Sequence, residues 1–471
     1  MERVAILPFS NLTGDAALDW IANAGPTILS EELTSGAHVV PLRATSVGTA
    51  ALQGATQLLH CTFSRRGASL QIAFALEDTE SHRMTATGLI DGTVLFAMNS
   101  LARTLDAAAR PFSTPNADAA EAWGRGEFER AVTLDPDFGT AWLSWMAQAA
   151  QAGKPDAATV LAERALARAS LRTPLNKAQV QLNAAVLHKD EPARIAALKE
   201  LATLAPHDTG PFMGLAEIEQ RHRRYSAAIE LFRRVLDLEP GNPAALNSLG
   251  YAQGGNGDLD AAKKTFEIYG QLPVQANNSL DSLGEVHFMN GKFAEAEKYF
   301  TQLSAREPGF LNGAPAMKAA YAHWLAGDLA GADPLMRKYL DLRLKQNDPL
   351  VAWREGVWFY ATGRPDQAMA ALAKAPPAQA ANMDRQRAVW RGQFHPLEDL
   401  EQLKKLVENA NPAADGLQRT LYAEALVKAG KKDEARALLK LWPLPESSVD
   451  PILQSLLYPR YLALRKTLGI Q

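Results

Sequence analysis

Ala228, Ala262 and Ala296 lie 34 residues apart, and Phe232, Phe266 and Phe300 follow them by four residues each. Earlier in the same copies stand Leu215-Ala216, Leu249-Gly250 and Leu283-Gly284. Between them come turn positions at Arg223, Gly257 and Gly291, followed two residues later by Tyr225, Leu259 and Phe293. Pro240 and Pro308 close two of the copies. Small and large apolar residues at helical spacing on either side of a turn describe a helical hairpin. A small residue on the first helix admits the second, and the large ones fill the space between. One such hairpin has no partner for its own apolar face, so copies must stack. Thr209 to Phe310 therefore reads as three back-to-back hairpins, and the rest of the chain must extend or cap that stack.

The pattern continues in both directions. Trp142, Trp145, Ala158 and Ala165 mark a copy beginning near Gly139, and another runs from Leu175 to Pro206. Before these, Pro111 to Gly126 reads as a linker and a partial repeat, and Phe128, Leu134 and Pro136 match only the second half of a copy. After a two-residue insertion at Leu311-Asn312, the array resumes with Gly327, Leu329, Ala332 and Met336. Gly356, Gly363, Ala368 and Leu372 mark the next copy, which ends early at Ala375-Pro376-Pro377. Residues 378–411 form a helix pair without the signature, and Leu417 to Leu444 regains it through Gly430, Ala435 and Leu439. Asp450 to Ile470 reads as a terminal helix in two pieces around Pro459. The expected organisation is a linker and partial repeat over 113–138, a solenoid of about nine hairpins over 139–445, and a capping helix over 446–471.

In these residues the chain resembles the tetratricopeptide repeat family. The resemblance implies an all-α, right-handed superhelical solenoid whose concave face is lined by the first helix of each pair and holds a partner polypeptide. In that register the groove-facing aromatics are Tyr251, Phe288, Tyr321, Trp324, Trp353 and Tyr360. Asn247, Asp281 and Glu285 join them, and with Glu217 the two acids give the groove an acidic edge. Aromatic side chains suit an interface because they bury large area at small entropic cost. The competing reading is that several of them pack between neighbouring hairpins. Met213, Glu217, Asn247, Tyr251, Asp281 and Glu285 occupy the positions where some members of the family grip a carboxylate, and they lack a basic ring. Arg221-His222-Arg223-Arg224 falls at a helix turn and reads as a solvated basic cluster.

Residues 1–112 read differently. Strand-like runs at Arg3–Pro8, His38–Leu42, Gln57–Ser64, Ser69–Glu77 and Arg83–Leu89 are joined by a helix from Asp19 to Leu33, interrupted at Gly25-Pro26, and followed by a helix from Asp91 to Ala109. Alternation is clearest at Leu70, Ile72, Phe74 and Leu76. The expectation is a small α/β sandwich, making the whole chain α+β. The stretch Val4-Ala5-Ile6-Leu7-Pro8-Phe9-Ser10-Asn11-Leu12-Thr13-Gly14-Asp15 is similar to the opening of TolB-like amino-terminal domains, and Leu58–Asp78 fits the same family. That resemblance implies a bacterial signalling context. In that family the domain is often paired with tetratricopeptide repeats and commonly follows a kinase, an adenylyl cyclase or a winged-helix regulator.

The charge balance, 49 basic against 52 acidic side chains, gives no general attraction to nucleic acid. A single cysteine, Cys61, allows no intrachain disulfide and no cysteine-rich metal site. No apolar run reaches the length of a membrane span. Met1 leads directly into Glu2, Arg3 and a strand, with no leader pattern, so the chain as it stands reads as cytoplasmic, or periplasmic if it is the carboxy-terminal part of a membrane protein. No two histidines have ligand spacing, so no metal is expected. Gly254-Gly255-Asn256-Gly257-Asp258, Gly291-Lys292 and Gly430-Lys431 fall at repeat turns and lack the Lys-Ser or Lys-Thr of a phosphate loop. Ser30-Glu31-Glu32 and Ser226 show no paired base, and no nucleophile elbow is present. The reading is a non-enzymatic scaffold or adaptor without a cofactor, binding a protein or peptide. Two alternatives stand beside it: the sensory half of a larger membrane signalling protein, and a small-ligand-binding α/β domain with a repeat module for oligomerisation.

Overall fold

A computed structural model describes residues 2–36, 38–67, 69–168, 171, 173–381, 383–384, 387–388, 391, 396–408, 416–440 and 460–470. It shows a small six-stranded sheet followed by a long run of helices. The strands are β1 (Glu2–Ile6), β2 (Ser10–Asn11), β3 (Val39–Arg43), β4 (Gln57–Arg66), β5 (Ser69–Asp78) and β6 (Met84–Gly92). Their order is β3-β1-β4-β5-β6, with β2 against β4. β1 pairs in parallel with both β3 and β4, and β4, β5 and β6 form an antiparallel meander. The helices of this region are α1 (Asp19–Thr34), α2 (Val47–Leu52) and α3 (Val94–Leu105).

Gly25-Pro26 does not break α1. A helix proline leaves the carbonyl four residues earlier without its donor. Here that carbonyl, on Ala22, accepts from the Phe9 amide at 3.3 Å. Gly25 leaves room for the Phe9 ring, 2.9 Å from where a β-carbon would sit. The Pro8-Phe9 turn and the proline thus compensate one another. Asn11 ties the following loop, donating to the Asp15 carbonyl at 3.0 Å and the Asp19 carboxylate at 2.7 Å.

The helical run continues as α4 (Ala117–Gly124), α5 (Phe128–Leu134), α6 (Gly139–Gln151), α7 (Pro155–Leu166), α8 (Pro174–Leu187), α9 (Glu191–Leu204), α10 (Thr209–Arg221) and α11 (Tyr225–Leu238). Next come α12 (Pro243–Gly255), α13 (Leu259–Gln271), α14 (Ala276–Met289), α15 (Phe293–Arg306), α16 (Ala314–Leu325), α17 (Leu329–Lys345), α18 (Val351–Ala361) and α19 (Pro365–Leu372). Then follow α20 (Pro396–Glu408), α21 (Gly416–Lys428) and α22 (Lys432–Lys440). Residues 460–467 are helical as well, while the first part of the expected terminal helix, like about a third of 378–411, lies outside the described residues.

The chain divides into two compact units: residues 1–218 with 230–245, and 219–229 with 246–471. In the first, α1 and α3 cover one face of the sheet, and one apolar core runs from Val4, Ile28 and Phe63 through Phe112 and Trp123 to Trp142 and Ala184. The sheet and the first hairpins are therefore built on shared side chains, with Trp123 and Phe138 in edge contact at 6.0 Å.

In the second unit the 34-residue register has a direct physical basis. Gly250 on α12 and Gly284 on α14 are pressed against the rings of Phe266 and Phe300, with no space for a β-carbon at either glycine. Ala228, Ala262 and Ala296 are buried, as are Phe232, Phe266 and Phe300. The turn residues Arg223, Gly257 and Gly291 all take left-handed backbone, at φ 60, 86 and 70. Glycine adopts this region freely, whereas an L side chain there is strained. Asp258 then caps α13 through the Ala261 amide at 3.0 Å. The insertion at Leu311-Asn312 forms two further left-handed residues, φ 45 and 57, ahead of Gly313 at φ 84. Ala262→Leu is expected to overpack this contact and cost about 1–3 kcal/mol, read as a lower melting temperature. An unchanged melt would show that Ala262 does not sit at a close helix contact.

Candidate partner-binding site

The first helices of successive hairpins in the second unit, α12 from Leu246 onward, α14, α16 and α18, carry the expected site residues. The structure gathers four of them into one polar network. Tyr251 donates to Glu285 and, at 3.1 Å, to Ser282. Ser282 donates to Asn247 at 3.1 Å. Lys318 on α16 reaches back across α14, bonding Asp281 at 2.7 Å and also Glu285. The ammonium also lies 5.7 Å from the Phe300 ring centroid. Asp281, Glu285 and Lys318 are all buried, with relative exposures of 7%, 5% and 3%. The two acids are thus matched against a lysine, where the register alone suggests an exposed acidic edge.

Burial disfavours charge on Lys318, but Glu285 and Asp281 outweigh it and raise its pKa, so the ammonium stays protonated. Burial raises Glu285, and the nearby charge of Asp281 adds to that against the attraction of Lys318. Tyr251 is pushed up by burial and by Glu285, which keeps it neutral and donating. The network links three consecutive first helices through side chains 31 to 37 positions apart.

The aromatics separate into two groups. Phe288 and Tyr321 are buried, at 1% and 4% exposure, in a core with Phe300 and Trp358. Tyr321 meets Trp358 edge-on at 5.2 Å, and the half-buried Trp324 meets it at 5.9 Å. Trp358 donates to Asp333 at 2.8 Å, and Arg364 grips the same carboxylate with two bonds of 2.8 Å. Trp353 and Tyr360 pack, half-buried, against the core that runs on through Leu372, Leu403 and Leu426. Burial pushes the Tyr360 hydroxyl up to about 12, against the pull of Arg460. Of the nine expected residues, Asn247, Tyr251, Trp324, Trp353 and Tyr360 keep part of their surface open.

Lys318, Ser282 and Trp358 were not legible as site residues. Lys318 did leave one signal, as the lone lysine or arginine in the largely apolar run Ala314–Leu325, which also holds His323. Among the described residues no group of histidine, cysteine and acidic side chains is arranged to hold a metal ion. No helix among them is long and apolar enough to cross a membrane.

A stretch of 91 residues, 19% of this chain, is 31% identical to the protein CTR9 homolog of Arabidopsis thaliana, and the match spans 8% of that protein's length. Among solved structures, a tetratricopeptide repeat protein from Parabacteroides merdae matches 50% of this chain and 91% of its own, at 14% identity and a TM-score of 0.40. PilW, a widely conserved type IV pilus biogenesis factor, matches 44% of this chain and 92% of its own, at 21% identity and a TM-score of 0.33. Residues 219–271, from the end of α10 to the end of α13, match the tetratricopeptide repeat family, and the hairpins built there are tetratricopeptide repeats.

Proposed function

We propose that this chain is a non-catalytic scaffold that holds a partner polypeptide along the first helices α12, α14, α16 and α18. The observation that carries this reading is the set of part-open side chains on three of these first helices: Asn247 and Tyr251 on α12, Trp324 on α16, and Trp353 and Tyr360 on α18. The partner fits as an amphipathic helix or an extended segment whose apolar side chains meet these aromatics. Buried Phe288 and Tyr321 support that surface from beneath. The network around Lys318 keeps the three helices in register and leaves little net charge for a basic partner to seek.

Residues 1–112 complete the proposal as a TolB-like domain. It is supported by the passage from β1 through Pro8-Phe9 and the loop ordered by Asn11 into α1. The domain limits at 112, 138 and 445 belong to the same reading.

The experiment is affinity capture from the source cell with the full chain and with Trp324→Ala/Trp353→Ala. A polypeptide retained by the former and lost from the latter is the expected result. Equal retention, with both proteins folded by circular dichroism, removes the aromatic surface from the account.

A further inference from the structure

Several arginines of this chain rest on aromatic rings, and Arg234, Arg364 and Arg465 also hold an acceptor there. Arg234, over Phe212, donates to the Pro206 carbonyl at 3.2 Å. Arg465, over Tyr461, donates to the hydroxyl of that residue at 3.1 Å. Arg364, 5.9 Å from the Trp358 ring and 4.8 Å from Phe359, closes on Asp333. Arg164 on α7 has the rings without the acceptor. Its guanidinium carbon lies 5.3 Å from the ring centroid of Trp142 and 5.5 Å from that of Trp145. These two indoles follow one another on α6, with centroids 5.9 Å apart and planes at 28°. Trp142 is fixed by its own bond to the Pro136 carbonyl at 2.9 Å. Arg164 is exposed, and among the described residues it makes no hydrogen bond and no ion pair. The neighbouring acid on the helix, Glu163, lies 3.8 Å from His188 instead.

An exposed arginine samples many rotamers, and attraction to two ring faces restricts them. That entropy is lost in the free protein, so less is lost when a ligand binds. A guanidinium offers its N–H groups in a planar fork, which a carboxylate fills with two parallel bonds. The chain carries the completed arrangement at Arg364, where two rings steady the cation and both oxygens of Asp333 accept from it at 2.8 Å. We propose that Arg164, steadied by Trp142 and Trp145, binds an aspartate or glutamate side chain of a partner polypeptide. Val160 stands one turn before Arg164 on the same face of α7 and is 53% exposed. Trp145 keeps part of its surface open beside the cation. Together they offer a resting place to an apolar residue next to the acid. The partner segment is therefore acidic and apolar at adjacent positions. This surface belongs to the first unit and to a second helix, so it is independent of the row on α12, α16 and α18.

Random heptapeptides displayed on phage and selected on the full chain are the probe. Peptides with Asp or Glu next to an apolar residue are expected to be enriched. Synthetic copies of these are expected to bind Arg164→Gln about tenfold or more weakly than the wild type, measured by fluorescence anisotropy with both proteins folded by circular dichroism. Exchanging the acid of the peptide for its amide is expected to weaken binding to the wild type by the same factor. Arg164→Lys keeps the charge and loses the fork, so it is expected to bind more weakly than the wild type. Peptides held by the second unit are recognised because they keep their affinity for Arg164→Gln. A selection without acidic enrichment overturns the site. Acidic peptides that bind Arg164→Gln as tightly as the wild type overturn it as well. Equal binding by Arg164→Lys reduces the contact to plain charge attraction and removes the role of the steadied fork.

Discussion

Lys318→Met is expected to destabilise the second unit by about 3–5 kcal/mol, because it leaves Asp281 and Glu285 buried without their cation. The substitution keeps most of the volume and the apolar stem, so the loss reports charge and hydrogen bonding rather than a cavity. Two checks separate this account from a general packing defect. Lowering the pH should recover part of the loss, since protonating the carboxylates removes the uncompensated charge. The triple variant Lys318→Met/Asp281→Asn/Glu285→Gln should recover most of it, because exchanging a buried ion cluster for neutral groups is often close to neutral. Thermal or denaturant unfolding of the full chain measures all three. A single variant that melts with the wild type at neutral pH would mean the ion cluster contributes nothing to holding α14 and α16 together.

The second large effect lies in the first unit. Glu32 on α1 is 1% exposed, accepts from the Phe112 amide at 2.9 Å, and its other carboxylate oxygen is buried without a hydrogen bond among the described residues. Burial is the main cause that pushes its pKa from 4.5 to about 8, helped by the charge of Glu31 and opposed by the Phe112 and Asn99 donors. Glu31, bonded to Thr140, is raised by burial as well. An acid raised in the folded state stabilises fully below its unfolded pKa and loses that contribution as pH rises through the folded value. From pH 6 to pH 8 the first unit should therefore lose about 2–3 kcal/mol. Glu32→Gln should flatten the dependence and make the protein more stable than the wild type at pH 8. Superimposable melts of the two proteins across this range would contradict the assignment.

Much of the architecture was legible because packing at close helix contacts constrains residue size. The positions of Gly250, Gly284, Phe266 and Phe300 in the register are the positions where rings meet bare backbone. The turn residues Arg223, Gly257 and Gly291 share one left-handed conformation although only two are glycines. The sheet was legible because β5 alternates cleanly along Leu70, Ile72, Phe74 and Leu76, all buried. What could not be read depended on contacts distant in sequence. The Gly25-Pro26 break is absent because Phe9 satisfies the carbonyl that the proline abandons. Lys318 showed only as a lone lysine, because the side chains it bonds lie 37 and 33 positions away. Its partners Asp281 and Glu285 therefore read as standing alone. Phe288 and Tyr321 share a helix position with open aromatics elsewhere, and Phe300 and Trp358 close over them. Glu31 and Glu32 carried no sequence signal of their burial, which comes from the segment around Phe112 and from Thr140.

Site-specific photo-cross-linking tests the central claim most directly. A benzoylphenylalanine at position 324 or 353 reports on the first-helix face, and one in place of the exposed Lys264 or Lys298 reports on the second helices. With the full chain in the source cell, the account predicts a cross-linked polypeptide from positions 324 and 353 and none from 264 or 298. Cross-links confined to 264 and 298 would contradict it.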